Sequence, residues 1–493
     1  MIVDELAQLR IELEQLKEKE QHLQEALLRV RVEIEAHNHR IENIARAKAP
    51  INSLPSEIIS YVLELAAPSR GDNCDFKIRD LQLVSRYWRD TIHNFPKLWS
   101  HIRLLPSTNM SLVRTCVTRS NQYPLDVTIE FEVHENQITT CIDPIISHVH
   151  RWRTLKIGGS GRCFQLVLDK INHLKFPALK HAAMHADPSH PIQYPTFLRP
   201  ENSPSLKSLD LRYFTHMVEF SPGENITDLS VVFSVRDIRR FGPLTLPSLM
   251  SSQKLTTLNL VYHKCPAIPP NSISLPLLTS LTLHARYPRE LLTAMVAPKL
   301  SYFSLVDPMV DSVSLIFHEL ESNFCSVRHL VLRLGYSPFF SDTDTQSVSL
   351  AFPNVHHVEV FGAGQLEDSF RADTNGSYTA DCWRSLQSLT FHRINIYGTP
   401  YLKPWLCWRN LAGLPMLRIK FVDCVFRSYC QEEDCSTPRS LLRFYNQLQG
   451  ACILDIVDET LRTVQEVMSQ TLPPSLPLVC IFVNVELVTS LKS

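Results

Sequence analysis

The segment LPLLTSLTL, residues 275–283, sets Leu278, Leu281 and Leu283 in the order Leu-x-x-Leu-x-Leu behind a proline. Leu281 and Leu283 are two positions apart, so in a strand they share one face while Ser280, Thr282 and His284 share the other. Pro276 favours an extended or turn start, because its ring restricts both its own φ and the residue before it. With substitutions, the unit begins again at Trp152, Leu179, Leu206, Ile226, Leu255, Leu300, Val327, Val355, Leu386 and Leu414, at spacings of 20 to 31 residues. SPSLKSLDL (203–211), APKLSYFSL (297–305) and FPNVHHVEV (352–360) keep the proline as well. Eleven units of one strand each predict a solenoid over 151–493, with the strands stacked in a parallel sheet on its concave side. A doubly wound α/β domain also alternates strands and helices, but it does not repeat one unit in this way.

The unit resembles the leucine-rich repeat. That family uses Asn or Cys eight residues into the unit to satisfy backbone groups in the turn, whereas these places here hold Phe214, His263, Arg286, Pro308 and Ile394. The turns and the convex side are therefore expected to be irregular, with helices of uneven length. Residues 451–456 and 478–487 read as an irregular C-terminal cap. Strand alternation assigns the positions beside the second and third leucines to the concave face. Those positions include His181, His185, Asp210, Arg212, His284, His329, Arg333, His357, Glu359, His392, Arg418 and Lys420. His185, Arg212, His284, Arg333, His357, His392, Arg418 and Lys420 are the candidate target-binding residues, and a stripe rich in His and Arg would suit an acidic or phosphorylated segment.

Upstream, INSLPSEIISYVLELAAPS and IRDLQLVSRYWRDTIHNFPKLWSHI occupy residues 51–69 and 78–102. Pro55 suits a helix start, where its missing N–H costs nothing, and Ile58, Ile59, Val62, Leu63 and Leu65 form a wide apolar band. Leu81, Val84, Trp88 and Ile92 recur at three and four residue intervals, which predicts a second helix ended by Pro96. About 50 residues of short helices bury too little surface to stand alone. The order Leu-Pro-x-Glu-Ile, then Leu-x-Leu-Val-Ser-x-x-Trp-Arg-Asp and Pro-x-Leu-Trp, resembles the F-box, in the F-box-like form common in fungi. The resemblance covers residues 50–102 and implies docking to the Skp adaptor of a cullin-based ubiquitin ligase, with Leu54, Pro55, Ile58, Val84 and Trp88 as contacts. Residues 103–150, containing WSHIRLL's end and YPLDVTIEF, read as linking strands and a helix.

At the N-terminus, Ile2, Leu6, Leu9, Leu13, Leu16, Leu23, Leu27, Val30, Ile34, Ile41 and Ile44 follow steps of four and three, with Glu20 and His37 filling the two missing places. This is a heptad repeat, and without Gly or Pro before Pro50 it predicts one helix over 1–48, about 65 Å long. Glu12 and Lys17 are placed to pair across a parallel homodimer formed through residues 1–44. The other reading is a single amphipathic helix that packs on its own chain or stays partly exposed.

The balance of 49 Lys plus Arg against 50 Asp plus Glu lacks the footprint of a dedicated nucleic-acid binder. No apolar run reaches the roughly 20 residues that a bilayer requires, and a start dense in Glu, Lys and Gln does not read as a signal peptide. Thirteen cysteines without CxxC pairs argue for reduced thiols, and so for cytoplasm or nucleus. Cys424, Cys430 and Cys435 cluster, but zinc would want closer pairs and a fourth ligand. IGGSGR before Cys163 lacks the spacing of a phosphate-binding loop. No nucleophile elbow or His-Glu-x-x-His helix occurs, so no catalytic residue, metal or cofactor is assigned. The expected protein is α/β and not an enzyme. It is expected to be a substrate receptor that joins an adaptor, and through it a cullin, to a protein target. A scaffolding protein that only resembles such a receptor is the alternative.

Overall fold

The computed structural model describes residues 2–48, 54–66, 80–131, 135–187, 195–213, 225–233, 253–264, 268–308, 313–318, 320, 324–333, 342–362, 370, 383–396, 402–426, 447–448 and 450–457. The chain forms two compact units: Met1–Ser100 with Thr115–Tyr123, and His101–Arg114 with Pro124–Ser493.

In the first unit, one helix of 47 residues runs from Ile2 to Lys48, as the heptads predict. A helix follows at Ser56–Ala66, and Ile59 and Leu63 are its buried residues. The carbonyl of Pro55 accepts from the N–H groups of Ile58 and Ile59, so the proline stands just before the first turn. The predicted single helix through Leu81, Val84, Trp88 and Ile92 is divided. Residues 80–84 are helical, Ser85 is extended, and a new helix spans Arg86–His93. The Ser85 hydroxyl accepts from the Trp88 N–H at 3.1 Å, the favoured N-cap arrangement, and this local bond outweighs continuation of the helix. A short 3-10 turn at Pro96–Trp99 closes the segment. The Trp99 indole donates to the Ile92 carbonyl at 2.7 Å, and the Arg119 guanidinium lies 4.7 Å over its ring.

The second unit is built on strands β1 (His101–Leu104), β2 (Leu125–Phe131), β3 (Trp152–Gly159), β4 (His181–His185), β5 (Ser208–Arg212), β6 (Asp228–Val232), β7 (Thr257–Lys264), β8 (Ile273–Ser274) and β9 (Ser280–Tyr287). They continue as β10 (Met295–Val296), β11 (Tyr302–Val306), β12 (His329–Arg333), β13 (His357–Phe361), β14 (Ser388–His392), β15 (Asn395–Ile396), β16 (Arg418–Val422), β17 (Val425–Phe426) and β18 (Ile453–Val457). β8 pairs with β10 and β15 with β17; the other 14 strands make one open sheet in chain order. Every pairing in that sheet is parallel, and only β2 against β3 carries a register shift, between Leu125 and Asp126.

Constant register lays the apolar residues in two rows. One passes from Ile102 through Leu209, Leu281 and Leu330 to Ile419, and the other from Leu104 through Leu211, Leu283 and Leu332 to Phe421. All of these are buried. Each buried leucine contributes roughly 1.5–3 kcal/mol, so a one-residue slip, which would turn both rows into water, is strongly disfavoured. Behind β11 the rows meet an aromatic cluster. Phe303 stacks on Phe324 at 5.9 Å and on Phe352 at 5.2 Å, and Phe317 meets Phe352 edge-on at 5.2 Å.

Several units start with a tight turn. Leu179, Leu206, Leu278 and Leu300 donate N–H bonds to the carbonyls of Phe176, Ser203, Leu275 and Ala297 at 3.2 Å, leaving the proline at the second turn position that its fixed φ suits. Past the turn, one carbonyl accepts two N–H groups of the next unit: Lys207 from Thr227 and Asp228, Thr279 from Ser301 and Tyr302. The hydroxyls of Thr256, Thr279 and Ser301 add a third bond to the same carbonyls, those of Thr227, Thr256 and Thr279.

At the far end of the strands, the missing Asn or Cys is replaced by backbone geometry. Tyr213, Asp307, Arg393 and Asp423 take positive φ, between 48° and 65°, directly after β5, β11, β14 and β16. In that conformation Tyr213, Asp307 and Arg393 donate their N–H to the last residue of the next strand, Val232, Arg333 and Val422. At the end of β3, Gly159 takes φ 144°, where an added Cβ would fall on the Phe131 carbonyl, and the next N–H, that of Ser160, donates to the same carbonyl.

The sheet differs from the predicted division in three places. It starts at His101, so β1 and β2 belong with the repeats and the boundary at 150 lies inside the sheet. Their alternation of buried and half-buried residues, BiBiBiB in β2, is the same device as in the later strands. The unit begun at Leu414 is displaced by two residues: Ile419 and Phe421 fill the two rows, the first place falls on the exposed Met416, and Leu417 beside it is buried instead. Residues 453–457, read as part of an irregular cap, form the fourteenth strand in register with β16. Residues 478–487 lie outside the described residues.

Phe303→Ala should lower stability by about 3–5 kcal/mol, since three aromatic neighbours lose their partner at once. Urea unfolding followed by circular dichroism measures it. A cost below about 1 kcal/mol would mean that the cluster does not hold the centre of the sheet.

Candidate functional site

Two surfaces stand out, one in each unit. The Ser56–Ala66 helix is apolar on two faces: Ile59 and Leu63 point inward, whereas Ile58, Tyr61 and Leu65, at three and four residue intervals, are 47%, 60% and 68% exposed. Leu83 and Val84 are also exposed, because the break at Ser85 turns them away from the stripe of Trp88 and Ile92. The Tyr87 hydroxyl donates to the Leu54 carbonyl at 3.0 Å and ties the start of the first helix to the last. Glu64 and Lys97 form an ion pair between the same segments. Of the residues singled out in the sequence, Ile58, Val84 and Pro55 are exposed and Leu54 is half-buried. Trp88 is buried in its own unit and serves the core there. Tyr61, Leu65 and Leu83 join the exposed set; the 3/4 spacing of the first two was visible, but it merged with Ile59 and Leu63 into one band.

On the sheet, alternation gives the face opposite the leucine rows three polar rows. His329 and His357 stand in register in one row, Asp210 and Ala183 in the second, and His185 and Arg212 in the third. His185, His284 and His392 are half-buried, and Arg212, Arg333, His357, Arg418 and Lys420 are exposed. All eight candidate residues therefore share this face, as strand alternation required. What they form is not a uniformly basic stripe. Asp210 is held by His185 and Arg212, each at 3.1 Å. Glu359 accepts from His329 at 2.9 Å, and His392 approaches it at 3.3 Å without hydrogen-bond alignment. Glu130 pairs with Arg103 at 2.7 Å and Lys156 at 2.9 Å. Asp126 pairs with Arg153 and His101, and Asp307 sits 3.3 Å from His284. Arg333 lies 4.4 Å over the Phe361 ring, which stacks on His392 at 3.8 Å.

These contacts reset the carboxylates. Burial pushes the Asp210 carboxyl up, but the His185 and Arg212 hydrogen bonds outweigh it and bring its pKa down to about 2. The His329 bond, then the His392 contact, lower the Glu359 pKa further against the cost of burial. His357 is shifted down, by burial first and then by His329 and His356, and its Nδ1 meets the Ser388 hydroxyl at 2.7 Å. The face is thus a mosaic of paired charges with stacked rings, able to exchange polar contacts with another macromolecule. Sequence reasoning placed Asp210 and Glu359 on this face, but kept only its basic members as candidates and did not pair them with these acids.

Among the described residues no group of His, Cys, Asp and Glu is placed to hold a metal ion, and no helix is long and apolar enough to cross a membrane. Cys424 is buried, donates to the Phe391 carbonyl at 3.3 Å, and has its thiol pKa raised by burial; Cys430 and Cys435 lie outside the described residues. No protein-family model matches the chain, and no curated protein matches it either.

Because Asp210 and Glu359 are both lowered from 3.8 and 4.5 in the folded chain, the stability they contribute is complete above their unfolded pKa values and is lost as pH falls from about 4.5 towards 2. Asp210→Asn with Glu359→Gln should lower the denaturation midpoint at pH 7 and narrow its difference from the midpoint at pH 3. An unchanged pH 7 to pH 3 difference would show that the two clusters carry no linkage.

Proposed function

We propose that the chain is the substrate-recognition subunit of a Skp–cullin–F-box type ubiquitin ligase. In this reading the helices of residues 54–100 are an F-box-like module that docks the Skp adaptor. The 14 strands belong to a solenoid of irregular leucine-rich-repeat-like units, whose polar face binds the protein target. The observation that supports it is the stripe of Ile58, Tyr61 and Leu65, with Leu83 and Val84, left exposed on so small a helical module. Single exposed apolar residues are ordinary, but five on neighbouring helical segments mark a contact surface. Ligation is done by other subunits, and this chain raises the local concentration of target at the ligase by holding both.

The geometry suits the division of labour. The polar face offers rows of side chains about 5 Å apart from strand to strand, a spacing that matches an extended or folded protein surface over many residues. Paired charges on such a face favour a partner able to exchange ion pairs, which sets specificity and association rate more than affinity.

Co-purification with a Skp adaptor tests the reading. Ile58→Asp with Val84→Asp, both exposed positions, should reduce adaptor retention at least tenfold while the circular dichroism spectrum and thermal midpoint stay unchanged. Failure of the native chain to retain adaptor, or equal retention by the variant, would leave the scaffolding alternative. A second arm changes Arg212, Arg333, Arg418 and Lys420 together to Ser. The set of proteins retained from a lysate should shrink with adaptor binding intact, and an unchanged set would remove the polar face as the target site.

A further inference from the structure

The long N-terminal helix leaves its heptad seam uncovered. Leu9, Leu13, Leu16, Leu23, Leu27 and Ile34 are between 52% and 64% exposed, along a helix of 47 residues. From Leu9 to Ile44, at 1.5 Å per residue, this is an apolar stripe about 50 Å long, far more than a lone chain leaves in water. The described seam residues are not covered by the chain's own residues.

We propose that this helix pairs in parallel and in register with the same helix of a second copy of the chain. The inference goes beyond the ligase reading and does not rest on it. A second copy is the occupant because the seam is flanked by charges that complement themselves. With Leu13, Glu20, Leu27 and Ile34 at the a positions and Leu9, Leu16, Leu23 and Val30 at d, Glu12 falls at g and Lys17 at the following e. In a parallel pair g faces the e position five residues on in the other helix, so Glu12 meets Lys17 of the second copy, twice by symmetry. The other flanking pairs at described positions are Lys19 with Gln24, Ala26 with Arg31, and Glu33 with Asn38, and none opposes like charges.

The antiparallel alternative pairs g with g and e with e. Matching the seam then sets Glu12 against Glu33 and Arg10 against Arg31, two repulsive contacts that recur by symmetry. Position 5 finds an opposite charge in either direction and does not discriminate. Within one helix, Lys17 pairs with Glu14 at 2.9 Å and Glu20 accepts from Gln24 at 3.3 Å, exposed contacts that exchange easily for contacts across the seam. In parallel register the two Glu20 side chains share a layer. Lys19 of the opposite helix lines the hole that receives each of them and offsets their repulsion. Glu20 and His37 limit the affinity of the pair, and they are the polar seam positions that a register slip would set against leucine or isoleucine.

Sedimentation of the full chain across a concentration series tests the proposal. A reversible dimer is expected in the micromolar range, and Leu13→Asp with Leu27→Asp, both exposed, should return it to monomer with the remaining fold intact by circular dichroism. Glu12→Lys reads the orientation: it should weaken association by about tenfold in a parallel pair, and adding Lys17→Glu should restore it. A chain that stays monomeric at high micromolar concentration overturns the proposal, as does a dimer that survives the double Asp variant. Tighter association of Glu12→Lys, which would now face Glu33, overturns the parallel arrangement.

Discussion

Unshifted parallel register is the constraint on which the sheet depends. From β3 to β18 each strand of the main sheet places its apolar residues directly against those of the strand before it. The side-chain period of a strand is two, so any single-residue error would exchange leucine rows for His, Arg and Asp. Burial therefore fixes register, and register fixes which charges meet. The pairing of Asp210 with His185, and of Glu359 with His329, follows from it, because these side chains lie on successive strands and become neighbours only when the strands are aligned; Arg212, two residues along the same strand as Asp210, joins them in any register.

Parallel strands need long returns, and the returns here differ greatly in length. What recurs is the way strands are entered and left. Several start behind a proline-led turn, many start on a carbonyl that accepts from two N–H groups, and β5, β11, β14 and β16 finish at a left-handed residue. These backbone devices absorb the variation of the connecting segments before it reaches the sheet. Non-glycine residues at positive φ cost some stability, and at Tyr213, Asp307 and Arg393 that strain is offset by an N–H bond to the next strand.

The strands were legible in the sequence because each carries two or three leucine-like residues at a fixed interval, a signal that needs no knowledge of distant contacts. Ten of the eleven units found this way begin a strand at their first or third residue; Leu414 misleads because Leu417 takes the buried place. β1 and β2 were seen as strands but not as members of the sheet: β2 has Pro124 in the leading place, and the leading Trp99 of β1 was read as the end of the helical segment. The turns were less visible. An absent Asn suggested irregularity, whereas positive φ at Tyr213 or Arg393 is a backbone property that no residue type announces. On the helical segment, periodicity located the apolar residues and could not separate the covered from the uncovered ones. That separation depends on Ser85, whose capping bond turns Val84 outward and Trp88 inward.

Strict chain order in the sheet bears on how such a protein changes over generations. Among the described residues no strand is inserted between two earlier ones, so each unit pairs in the sheet with the units made just before and just after it. A duplicated or deleted unit would leave every other strand with a neighbour of the same kind, and no connection would need to be rethreaded. The polar face, by contrast, is written one unit at a time in the letters between the leucines. The length of the polar face and its chemistry are therefore heritable as separate traits, the first by copying or losing whole units and the second by exchange of single residues that leave the core untouched.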